Sequence, residues 1–189
     1  MPRLNLISCL PPLQVLASEP TTNQPENLSE IRADLDGDGR ADFAYLFASQ
    51  DSTGDITASL TIEAASGKTN HVTAMAWMGA STGTIPNLGM TKRGSLQVNS
   101  MNESIGRDHW FQTVTIAYRD GEFRLAGFSY SWFDTLDPIH QGLCAATYLT
   151  GGGEPVLGEA RTRSAFSVFA GSVPIQDWLG DLPKPCQQD

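Results

Sequence analysis

Apolar and polar positions alternate along this chain in short runs separated by glycine, asparagine and proline. In "DITASLTIEAA", Asp55 to Ala65, the residues Ile56, Ala58, Leu60 and Ile62 stand at every second position, the period of a half-buried strand. "HVTAMAWM" follows across "SGKTN" and is expected to be its partner in a hairpin. "GSLQVNS" begins a further strand after the glycine-rich loop "GASTGTIPNLG". The clearest segment is "HWFQTVTIAYRDGEFRLAGFSYSWF", in which two aromatic-rich strands flank Asp120-Gly121, a pair that readily takes the positive φ angles of a tight hairpin turn. "LCAATYLTG" and "ARTRSAFSVFAG" read as a final pair of strands, and "VPIQDWLG" as a short helix starting near Pro174. Seven to nine strands and little helix result. The expected fold class is mainly β (or α+β), a single compact antiparallel-sheet domain over residues 30–189.

One polar stretch breaks this pattern. "RADLDGDGRADFAYLF" places Asp34, Asp36, Asp38 and Asp42 close together although like charges repel. The spacing D-x-D-x-D-G is that of a loop that curls round Ca²⁺, a hard cation taking six to eight oxygens. Asp34, Asp36 and Asp38 fall at loop positions 1, 3 and 5, and Gly39 at position 6, where a sharp turn needs a permissive backbone. Arg40 at position 7 offers only its carbonyl oxygen, and Asp42 at position 9 binds directly or through water. The candidate metal ligands are therefore Asp34, Asp36, Asp38, Arg40 and Asp42, with Ca²⁺ as the cofactor. Mg²⁺ fits less well, because it demands tight octahedral geometry and retains water. Tyr45 stands where an EF-hand carries its bidentate glutamate, and the flanks "SEIRADL" and "DFAYLFAS" read as strands rather than helices.

This loop between strands resembles the FG-GAP or VCBS-type repeat of integrin-like propellers, whose signature is close to D-x-D-G-D-G-x-x-D. A propeller would repeat it. The chain has no second D-x-D-G-D-G, and "STGDIT" and "YRDGEF" are turns with too few carboxylates. The resemblance thus implies one structural calcium loop, not a full propeller. The order of segments is also similar to a group of uncharacterised exported bacterial proteins. They share such a loop, an aromatic "Y-x-D-G-x-F-x-L-x-G" hairpin (here Tyr118 to Gly127), "Y-L-T-G" (Tyr148 to Gly151) and "V-P-I-x-D-W" (Val173 to Trp178). That likeness implies no activity.

The beginning of the chain reads as an address. Residues 1–17 form an export signal with Arg3, a short apolar stretch and Val15 and Ala17 in the small-residue cleavage pattern before Ser18. Alternatively "LISC" is a lipoprotein box that makes Cys9 a lipid anchor. Residues 18–29 read as a flexible linker. Cys144 and Cys186 then remain as an even pair, which in an exported chain suggests a disulfide. The expected location is periplasmic or secreted, at the bacterial envelope.

Net charge of −9 over 189 residues excludes a nucleic-acid backbone as the natural partner, and no 18-residue apolar run provides an ordinary membrane span. His71, His109 and His140 lack zinc spacing, and no G-x-S-x-G elbow is present. "TGGGEP", with Gly151 to Gly153, lacks the lysine of a phosphate loop. Trp110, Trp132, Phe133 and Trp178 read as core or rim aromatics, with "SYSWFDTLD" as the best ligand-stacking patch. The function expected is an exported, calcium-binding, non-enzymatic binding protein of the cell envelope. An inhibitor or immunity protein against an envelope-targeting enzyme is one alternative, since an acidic surface suits a basic envelope protein or enzyme. A hydrolase with a non-contiguous site is the other. Oligomeric state is open.

Overall fold

In a computed structural model, residues 26–157, 162–163, 166–167, 173–178, 180 and 186 are described. The segment read as an export signal, Cys9 and most of the segment read as a linker lie outside them. Strands β1 (Asn27–Ala33), β2 (Asp42–Gln50), β3 (Ile56–Glu63) and β4 (Thr69–Trp77) form one antiparallel meander. β5 (Asn87–Met90), β6 (Leu96–Asn102), β7 (Asp108–Arg119), β8 (Glu122–Asp134), β9 (Gln141–Thr147) and β10 (Gly152–Leu157) form a second sheet in chain order. The short strands β11 (Thr162–Arg163) and β12 (Phe166–Ser167) both pair with β10. The domain is mainly β, with two antiparallel sheets and no propeller, as the alternation predicts.

The period-two pattern places the core. Ala44, Leu46, Leu60, Ile62 and Val72 of the first sheet share one apolar cluster with Leu96, Val98, Val114, Ile116, Leu125 and Phe128 of the second. Asp120 and Gly121 turn the long β7–β8 hairpin with φ of 54° and 84°, both in the left-handed region that this turn requires. β9 and the segment after residue 160 are not partners, contrary to expectation. β10 lies between them, pairing β9 from Gly152↔Thr147 to Leu157↔Gly142. The glycine run Gly151 to Gly153, to which the alternation assigns no strand, is therefore where a strand begins. β5 likewise emerges from the stretch read as a glycine-rich loop.

"VPIQDW" forms a single 3-10 turn, Ile175–Asp177, that straps the two sheets together. Leu125 N–H of β8 donates to Val173 carbonyl (2.9 Å). On the other side Gln176 Nε2 donates to Asn70 Oδ1 (3.0 Å) and Trp178 Nε1 to Met75 carbonyl (3.3 Å), both on β4. Ile175 is fully buried beneath it. The Cys144–Cys186 disulfide is formed, joining β9 to a point 42 residues on.

Candidate metal centre

The Asp34–Asp42 loop connects β1 to β2, whose ends pair at Ala33↔Asp42. Leu35, buried between two aspartates, inserts into the core and anchors the loop from below. Gly37 and Gly39 hold φ near +82° and +83°, which a side-chain-bearing residue would adopt only under strain. With those two kinks the backbone turns its N–H groups inward. Every N–H from Leu35 to Arg40 donates to an aspartate. Leu35 and Asp36 donate to Asp42 Oδ2 (2.7 and 3.2 Å), and Gly37 and Gly39 to the two oxygens of Asp34 (2.7 and 3.0 Å). Asp38 N–H donates to Asp36 Oδ1 (3.0 Å) and Arg40 N–H to Asp38 Oδ1 (2.8 Å). The repulsion among the carboxylates is thus offset in part by the loop's own peptide dipoles.

Asp42 also has a structural role. It is fully buried, and its second oxygen accepts from Ala65 N–H (2.8 Å) in the β3–β4 turn. One carboxylate therefore ties the loop to the β3–β4 turn through three backbone donors, two in the loop and one in the turn. Spacing identifies Asp42 as a carboxylate at the right position; it does not show which peptide groups will lie beside it.

Oxygens of Asp34, Asp36 and Asp42 lie within 4.8 Å of one another, and among the described residues this is the one group of three or more His, Cys, Asp or Glu side chains so arranged. Hard carboxylate oxygens at such separations suit a divalent cation of the Ca²⁺ or Mg²⁺ type over a soft metal. The donor set therefore fits a bound ion. Asp38, the remaining predicted carboxylate ligand, stands apart from the group. Its Oδ2 accepts from Arg40 Nη2 (2.6 Å) and Nε (3.0 Å), and Arg40 Nη1 reaches Ala65 carbonyl (3.2 Å). The guanidinium holds the Asp38 carboxyl below the usual carboxylate range, and Asp38 raises Arg40 in return. Arg40, expected to contribute through its carbonyl, also acts here through its side chain.

The three histidines occupy separate places. His71 Nδ1 pairs with Thr61 Oγ1 (2.9 Å) on neighbouring strands, His109 packs edge-on to Phe133 (5.3 Å), and His140 lies in the β8–β9 loop. Trp132 is buried, Trp110 and Trp178 are half-buried, and Phe133 is exposed beside a cavity of about 380 Å³ bounded by Asp134, Pro138 and Gln141. Trp77, which alternation marks only as the end of a strand, packs on Trp110 (5.2 Å) and continues through Tyr130 (6.0 Å) to Trp132 (5.5 Å). No family model, curated protein or solved structure matches this chain.

Proposed function

We propose that this chain is an exported calcium-binding protein whose ion has a structural role, and that the protein acts by binding at the cell envelope rather than by catalysis. The observation that carries the reading is the convergence of Asp34, Asp36 and Asp42 within 4.8 Å on a loop already curled by Gly37 and Gly39. Those three residues would hold Ca²⁺, with Asp38 and the Arg40 carbonyl as further ligands once Asp38 leaves the guanidinium. The ion would supply positive charge that joins the loop to the β3–β4 turn through Asp42. The resemblance of the motif to an FG-GAP or VCBS-type loop supports the same ion. Export is supported by the Cys144–Cys186 disulfide, a bond that persists in oxidising compartments. Among the described residues no helix is long and apolar enough to cross a membrane. A net charge of −9 favours a basic envelope protein as partner.

Calorimetric titration of Ca²⁺ into chelator-treated protein tests the ion. We expect heat of binding and a melting temperature that rises with calcium. No heat, together with an unchanged melt in EGTA, would overturn the reading.

A further inference from the structure

At the other end of β2 an open cavity of about 560 Å³ lies between the β2–β3 turn and the end of β4. That volume is within the range of small-molecule sites. Its lining includes Asp51, Asp55, Thr57, Met75, Trp77 and Gln112. Strand register puts these residues together: Thr57 pairs with Trp77, two positions on from Asp55. The alignment depends on a bulge. Pairing jumps from Ala58↔Ala76 to Leu60↔Val72, and Ala74 within the bulge holds φ of 48°. Bulges re-aim the residues that follow them, and here those residues form the cavity wall.

The aromatic wall is fixed in place. Trp77 is 39% exposed, yet its ring packs against Trp110 at a centroid separation of 5.2 Å. A Cβ at Gly79 would lie 2.9 Å from Trp77 Cη2, so that edge of the indole is confined too. A ring held in this way presents π-surface to a ligand without being ordered by it.

Among the described residues that line the cavity, the charge is one-sided. Asp51 Oδ1 accepts from Thr53 N–H (2.8 Å), Thr53 Oγ1 (2.6 Å) and Asp55 N–H (2.9 Å). Asp55 Oδ2 accepts from Thr53 Oγ1 (3.1 Å). All these donors belong to the turn itself. The ion pairs among the described residues are Arg40–Asp38, Arg107–Asp134 and Arg124–Glu122, and none reaches this turn. Two carboxylates and the indole of Trp77 attract positive charge, while the exposed Ile56 adds apolar surface.

We propose that this cavity binds an organic cation: an ammonium or guanidinium group on a short apolar stem, held by Asp51 and Asp55 with its stem against Trp77 and Ile56. Such a group arrives either on a free polyamine or on a lysine or arginine side chain of another protein. The site is separate from the calcium loop, so its test is run on the full chain in calcium-saturated, low-salt buffer, where a failure here leaves the calcium titration unaffected.

Isothermal titration with spermidine and, separately, with Nα-acetyl-lysine methylamide supplies the two sources. Saturable binding of either supports the proposal: spermidine alone identifies a free amine, the lysine derivative alone a protein-borne side chain. The D51N/D55N double substitution keeps the turn's side-chain acceptors and removes both charges, and should weaken binding about tenfold. Trp77→Ala should weaken it as well. Raising the wild type from low to physiological salt should weaken binding without any substitution, which guards against a variant that folds poorly. Absence of binding by both cations, unchanged affinity in D51N/D55N, or equal binding of neutral maltose would overturn the proposal.

Discussion

Strand β2 begins and ends in an aspartate-bearing turn, and the two turns use their carboxylates in opposite ways. At Asp34–Asp42 the side chains collect six consecutive peptide N–H groups and one more from the β3–β4 turn, and a buried Asp42 carries three of these seven bonds. At Asp51–Asp55 the bonds stay within five residues, both carboxylates remain at the surface, and the turn is complete without help from elsewhere. The first arrangement makes acidic residues part of the domain's framework. The second leaves them free for something outside it. Number of carboxylates matters less than the depth at which their donors lie.

Substitution at Asp42 should break the comparison most visibly. Asp42→Ala removes a buried acceptor from three backbone donors, that of Leu35 fully buried and those of Asp36 and Ala65 partly so, and we expect a loss of about 2–4 kcal/mol in denaturant melts. A loss below about 1 kcal/mol would mean that the loop is an appendage rather than a joint. Calcium removal comes next. At a free concentration a hundredfold above Kd, the ion contributes about 2.7 kcal/mol, and EGTA should lower the melting temperature accordingly. Asp36→Ala should abolish that calcium dependence, while Arg40→Ala, by releasing Asp38 from its guanidinium, should tighten calcium binding by a small factor.

A third acidic turn, at Asp134, sharpens the contrast through pH. The Arg107 guanidinium, helped by the N–H groups of Leu136 and Asp137, holds the Asp134 carboxyl below its ordinary range. A carboxyl depressed in the fold contributes stability in full above its unfolded value of about 3.9, and that contribution disappears as pH falls through the lower folded value. Thermal melts across this acid window should show the decline, and Arg107→Gln should flatten it. The smallest effect is expected at the second turn of β2. Asp51→Asn retains the Oδ1 acceptor for Thr53 and Asp55 but gives up the charge that the Thr53 hydroxyl and the turn's N–H groups favour, so its melting temperature should fall only slightly.

The fold was legible wherever side chains alternate. Ile56, Ala58, Leu60 and Ile62 announced β3, and Asp120-Gly121 announced the longest hairpin, because a two-residue period and a positive-φ pair are local properties of the chain. β10 and β5 were hidden for the same reason. Gly152 and Gly153 have no side chains to alternate, and Asn87 to Met90 is too short to show a period, so only pairing with neighbours makes them strands. At the loop, the spacing was sufficient to mark carboxylates that converge, Asp34, Asp36 and Asp42 within 4.8 Å of one another. The deflection of Asp38 onto Arg40, two residues on, is a local choice of side-chain rotamer, and the bond from Ala65 to Asp42 depends on tertiary placement 23 residues away; ligand spacing encodes neither.

The strap at Val173–Trp178 bears on how the molecule reaches its final form. From β1 to β4 and from β5 to β10 each strand pairs with the one just made, so these pairings can be established as the chain lengthens. The strap's bonds to Asn70 and Met75 reach back 106 and 103 residues, and the cystine partner Cys186 comes later still. During vectorial delivery the two meanders would be left apposed but unlatched, with the hollow that receives Ile175 open to solvent, until this segment emerges and seals it.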